Sequence, residues 1–161
     1  MSFEYKSFTL SGAIRLLHLR KGSAGPIQCG LIEMSLEQAK GTYEALLYTW
    51  GNVSEKREIT IDDKTMLIGD NLNTALGFLR LTDGDRILWV DYICINQEDI
   101  PEQSQQVGQM RKIYENASRV IVWLGPSTEN IDYLFQSMGH LDHNAMQRSD
   151  SRRSPRKPHA I

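Results

Sequence analysis

Three short apolar runs, separated by stretches of helical periodicity, constrain this chain more than any other feature. Residues 44–49 (EALLYT), 87–90 (ILWV) and 120–124 (VIVWL) are too short for helices and read as strands. Between the first two, Leu72, Ala75, Leu76 and Leu79 recur at i, i+3, i+4 and i+7, with Asn71 placed as an N-cap. Between the last two, Val107, Met110, Ile113, Tyr114 and Ala117 form an apolar stripe, and Asp99 and Glu102 have capping-box spacing. Alternating strands and helices give βαβ units around a parallel sheet, with right-handed crossovers. Strands this apolar are expected where helices cover both faces. The expected fold is therefore α/β, a three-layer, largely parallel sheet with flanking helices.

Two additions surround that core. Residues 13–19 (AIRLLHL) and 27–34 (IQCGLIEM) flank a turn-rich run and read as N-terminal antiparallel strands. Residues 58–61 and 66–68 flank Asp62-Asp63-Lys64 as a hairpin insertion. Ile131, Leu134, Phe135 and Met138 suggest a last helix. The expected division is 1–42 as lead-in strands, 43–143 as the core and 144–161 as a disordered basic tail. That tail has few large apolar residues to offset its ordering entropy. It reads as a solvated end, a docking peptide or the product of an odd gene model.

Charge sharpens the division. Up to Gln147 there are 13 Lys and Arg against 19 Asp and Glu, and from Arg148 onward five against one. An acidic body argues against specific nucleic-acid binding, which needs clustered cations. No run approaches the ~18 apolar residues of a membrane span, and the first ten residues lack the basic start and apolar stretch of a signal peptide. A cytoplasmic protein is expected, with Cys29 and Cys94 as reduced, buried thiols.

In open parallel sheets, ligands sit beyond the carboxyl ends of the strands. Those ends carry Tyr48, Trp50 and Gly51 after the first strand, and Asp91, Asn96 and Gln97 after the second. The aromatics suit stacking on a base, Gly51 allows close backbone approach, and the two amides suit a ribose or an amide. Packing roles compete with each of these. Trp50 can cover the sheet end, Asp91 can cap backbone amides, and Asn96 can shape its own turn. No phosphate-binding glycine loop follows the first strand. Cys94 lacks a nearby base to act as a nucleophile. His140 and His143 lack a third ligand, so no metal is assigned. Gln103, Gln105, Gln106 and Gln109 read as a solvated or partner-facing surface.

Residues 43–51 (YEALLYTWG) resemble the Y-x-A-L-S-Y-x-W-G motif that opens the HET (heterokaryon incompatibility) domain, with Leu47 where that motif has serine. Residues 88–97 (LWVDYICINQ) resemble its central W-I-D-x-x-C-I-N-Q motif, and Glu102, Gln106, Val107, Met110, Ile113, Tyr114, Ala117 and residues 122–125 (VWLG) continue the pattern. The resemblance covers residues 43–126, about half the chain. It implies fungal non-self recognition and regulated cell death after unlike cells fuse. It also implies a remote likeness to TIR domains, hence a TIR-like or flavodoxin-like sheet. Residues 44–49, 87–91 and 119–124 would be its strands, 72–81 its helix and 91–100 a loop beside a nucleotide pocket. Some TIR domains cleave NAD through a glutamate, which the HET pattern would place in a later R-x-W-x-x-Q-E-like motif. No such motif follows here, and Glu129 is not given the role.

The expected function is an interaction and signalling module acting on other HET-domain or incompatibility proteins, or on itself, without catalysis and without a required cofactor. The alternatives are a TIR-like enzyme that cleaves NAD, with Tyr48, Trp50 and Asn96 lining its pocket, and a truncated product with no independent function.

Overall fold

A computed structural model of the protein describes residues 1–51 and 54–126. The expected last helix, the His140–His143 pair, Glu129 and the basic tail lie outside the described residues.

The two N-terminal strands form as the sequence suggests. β1 (Ala13–Leu19) and β2 (Gln28–Ser35) pair antiparallel from Ala13↔Ser35 to Leu19↔Cys29. β3 (Glu44–Tyr48) follows, then a hairpin of β4 (Lys56–Ile61) and β5 (Lys64–Gly69). Its turn residues Asp62 and Asp63 both have positive φ, 48° and 63°, the two-residue geometry whose twist matches the flanking strands. α1 (Asp70–Leu79) buries Leu72, Ala75, Leu76 and Leu79, the predicted stripe. β6 (Arg86–Trp89) leads through the single turn α2 (Asp91–Cys94) into α3 (Ile100–Asn116), and β7 (Arg119–Trp123) ends the described chain.

All seven strands lie in one sheet in the order β5-β4-β2-β1-β6-β3-β7. The group β6-β3-β7 is parallel, as expected. The sheet as a whole is mixed rather than largely parallel. β1 packs antiparallel against β6, which brings the N-terminal strands and the hairpin into the same sheet. Sequence patterning shows which segments are strands, but not that β1 would adopt β6 as its neighbour. The register Tyr48↔Trp123 and Ala45↔Trp89 puts the two tryptophans on opposite faces, because alternate residues of β3 face opposite ways. Phe78 of α1 packs on Trp123 and Tyr114 of α3 on Trp89. The two helices therefore cover opposite faces, and the fold is a three-layer mixed α/β arrangement.

Four local expectations need correction. Residues 120–124 do not form a buried strand: Val120, Val122 and Leu124 are exposed, because β7 is an edge strand among the described residues. On α3, Val107 faces out and Gln106 is fully buried, its Nε2 donating to the Ala13 carbonyl at 2.8 Å. The buried stripe starts one residue earlier than apolarity suggests, because a glutamine that reaches a strand-end carbonyl satisfies its donor in the core. Asn71 is not the N-cap of α1; Gly69 is, without a side-chain bond. The Asp99–Glu102 capping box holds only in its first half. Asp99 Oδ1 accepts from Glu102 N at 3.0 Å, while the Glu102 carboxylate turns to Arg15.

Candidate functional site

The parallel strands β6, β3 and β7 deliver three segments to one rim. Trp50, just past β3, donates from Nε1 to Asp91 Oδ2 at 3.3 Å and sets its ring edge-on to Tyr92, with centroids 5.5 Å apart. Trp50 remains 45% exposed. Asp91 Oδ1 also accepts from the Tyr92 backbone at 2.7 Å. Burial pushes the Asp91 carboxyl above its ordinary value against the pull of these two bonds. Tyr48 is half-buried beneath the rim, its phenol pushed far up by burial and then by the nearby Asp91 carboxylate.

Gly51 closes the corner at φ +67°, and a Cβ there would stand 3.3 Å from Asn71 Cβ. Both the left-handed backbone and the tight approach favour glycine. Asn71 joins two strand ends: Nδ2 donates to the Thr49 carbonyl at 2.6 Å and Oδ1 accepts from Trp123 Nε1 at 2.9 Å. The cap signal in the sequence belongs to this bridge.

Asn96 and Gln97 make no side-chain hydrogen bond to Trp50 or to the Asp91 carboxylate. Asn96 Oδ1 accepts from the Glu98 backbone at 3.2 Å, shaping its own turn. Gln97 Nε2 donates to the Asp91 carbonyl at 3.0 Å, and its Oε1 accepts from Gln103 Nε2 at 3.1 Å. Both line a different groove, of about 420 Å3, with Phe3, Tyr5 and Tyr92. The structure thus brings Tyr48, Trp50, Gly51 and Asp91 to one rim, and the two amides line the groove that also contains Tyr92.

A buried ion pair holds the 91–102 segment in place. Arg15 Nη1 meets Glu102 Oε1 at 2.5 Å and Nη2 meets Oε2 at 2.9 Å, with both side chains nearly inaccessible. Glu102 Oε1 also accepts from Asn96 N at 2.7 Å. Arg15 bonds the carbonyls of Cys94 and Lys6, and its guanidinium lies 4.0 Å from the centre of the Phe8 ring. A lone arginine inside an apolar strand was the sequence signal for this network. Its partner was hidden because Glu102 also satisfies the capping-box spacing.

The thiols of Cys29 and Cys94 are free and buried, each pushed up to about 12 chiefly by burial. A thiol held that high carries almost no thiolate at neutral pH, so neither suits a nucleophile's role. Among the described residues no group of three or more His, Cys, Asp or Glu is placed to hold a metal ion, and no helix is long and apolar enough to cross a membrane.

A family model described as "Heterokaryon incompatibility protein (HET)" matches residues 43–160. The chain is 32% identical over 157 residues to "Heterokaryon incompatibility protein 6, OR allele" of Neurospora crassa, across 86% of this chain and 23% of that relative. It therefore spans less than a quarter of that relative's length. No solved structure matches. The family match takes in the Trp50–Gly51 corner, the 88–97 run and all of α3, and the chain belongs to the heterokaryon incompatibility (HET) protein family.

Proposed function

We propose that this chain acts in heterokaryon incompatibility as an interaction and signalling module, associating with other incompatibility proteins through the rim at the carboxyl ends of β3, β6 and β7. The observation that carries this reading is the Trp50 ring, exposed yet fixed in orientation by its bond to Asp91. A large, pre-oriented aromatic costs little entropy to dock and is the residue type that dominates protein contacts. In this reading the amides of the 96–97 bend set loop shape rather than read a ligand, because Asn96 Oδ1 and both polar ends of the Gln97 side chain are engaged internally. The TIR-like character of the sheet, the role in regulated cell death and the division at residues 43 and 143 belong to the same proposal.

Cleavage of NAD is the second reading, and one feature favours it. Trp50 and Asp91 stand beyond the carboxyl ends of parallel strands, where ligands of such sheets bind. The two are separated by mixing the full chain with a full-length incompatibility protein of the same fungus and, in parallel, with NAD. The module reading predicts a complex in sedimentation that Trp50→Ala abolishes, and no nicotinamide release. Steady nicotinamide release lost in Trp50→Ala, with no complex, would replace it with the enzyme.

A further inference from the structure

β5 forms one edge of the sheet, and the N-terminal segment begins to pair with it and then leaves. Thr65 N donates to the Met1 carbonyl and Phe3 N donates to the Thr65 carbonyl, both at 2.9 Å, making a parallel bridge at Ser2↔Thr65. Beyond Phe3 the segment turns away, tied by the Tyr5 hydroxyl to the Ile93 carbonyl at 3.0 Å. Leu67 lies two residues further along β5, opposite Glu58 of β4, so its backbone N–H and carbonyl point the same way as those of Thr65. Neither has a hydrogen-bond partner among the described residues, and the Leu67 side chain is 53% exposed.

The groove of about 420 Å3 opens beside this edge. Its lining residues include Phe3, Tyr5 and Tyr92 and the acidic Glu4 and Glu98, with no lysine or arginine among them. Neither carboxylate has an ion-pair partner among the described residues. Two of these aromatic rings already attract a cation from outside the lining, Lys56 Nζ lying 5.5 Å from the Tyr92 centroid and the Arg15 guanidinium 5.0 Å from that of Tyr5. Aromatic walls beside unpaired carboxylates suit an organic cation. An exposed edge suits an extended backbone.

We propose that Leu67 and this groove bind an extended segment of a partner protein that carries a lysine or arginine. The backbone of that segment continues the strand pairing at Leu67, and its basic side chain lies among the three rings and the two carboxylates. A second copy of β5 centred on Leu67 does not fit the edge. Antiparallel pairing centred on Leu67 would set Gly69 of one copy against Thr65 of the other, whose polar groups already hold Met1 and Phe3. The proposal goes beyond the reading of the Trp50 rim and stands without it.

The test titrates the full chain with a capped, fluorescein-labelled six-residue peptide of alternating valine and lysine. A valine–glutamate counterpart and N-acetyl-lysine amide serve as comparisons. Saturable binding is expected for the lysine peptide alone, with the free lysine derivative at least about tenfold weaker for lack of the backbone bonds. Leu67→Pro removes the outward N–H without touching the β4 ladder, as proline is tolerated on edge strands. It should weaken binding by about five- to tenfold. The double variant Glu4→Gln, Glu98→Gln should do the same for the charged contact and carries the test if the proline disturbs the hairpin. No saturable binding of the lysine peptide, equal binding of the glutamate peptide, or affinity unchanged in the double variant would overturn the proposal.

Discussion

The amino and carboxyl ends of the three parallel strands are held by different chemistry. At the amino ends, Glu44 of β3 sits between Arg86 of β6 and Arg119 of β7, hydrogen-bonded to both guanidinium groups. Burial works to raise its pKa, but the two arginines outweigh burial and hold the carboxyl below its ordinary value. Ser118 closes the same end by donating to the Tyr43 carbonyl from both N and Oγ, each at 2.8 Å. At the carboxyl ends no ion pair links the strands among the described residues. An asparagine and two indole N–H groups make the connections, and Asp91 is pushed up rather than down. One end is satisfied by full charges, with Glu44 and Arg86 mostly buried and Arg119 exposed. The other is held by an asparagine and two indoles, one of them on the Asp91 carboxylate, and leaves Trp50 half exposed.

The sharpest way to break this contrast is to remove the staple. Glu44→Ala leaves the mostly buried Arg86 without its carboxylate and should cost about 3 kcal/mol in denaturant unfolding. A loss below about 1 kcal/mol would show that the amino ends do not depend on it. Asn71→Ala severs both bonds between strand ends and should cost about 2 kcal/mol, read the same way. Acid titration of stability separates the two carboxylates by sign. The folded pKa of Glu44 is lowered, so its contribution is present above its ordinary value of 4.5 and is lost as pH falls through the lower folded value. Asp91 is raised, so its ionisation opposes folding as pH climbs from 3.8 toward the folded value. Glu44→Gln should therefore flatten the acid limb of the stability curve, and Asp91→Asn should steepen it. The smallest effect on stability is expected for Trp50→Ala, under about 1 kcal/mol, because the ring is half exposed and makes one long hydrogen bond.

The strand and helix segments were legible because periodicity reports burial directly: the α1 stripe and the parallel group β6-β3-β7 came from spacing alone. Neighbours across the sheet were not legible. Nothing local to β1 says that it pairs with β6, and nothing local to Gln106 says that a strand-end carbonyl awaits it. Tyr48, Trp50, Gly51 and Asp91 flank the ends of adjacent strands and meet there. Asn96 and Gln97 follow after one helical turn and bond within their own stretch of chain, Asn96 to the Glu98 backbone and Gln97 to the Asp91 carbonyl and Gln103. A rim residue is thus predictable from topology, whereas a loop residue depends on the bonds its own side chain makes.

The working-surface claim is tested most directly by the incompatibility reaction in a cell-fusion assay of Trp50→Ala beside Glu44→Gln, with thermal melts of both proteins. The rim variant should melt close to the parent and lose the reaction. The amino-end variant should melt lower and keep the reaction at a temperature where it remains folded. A folded Trp50→Ala that reacts like the parent would contradict the account.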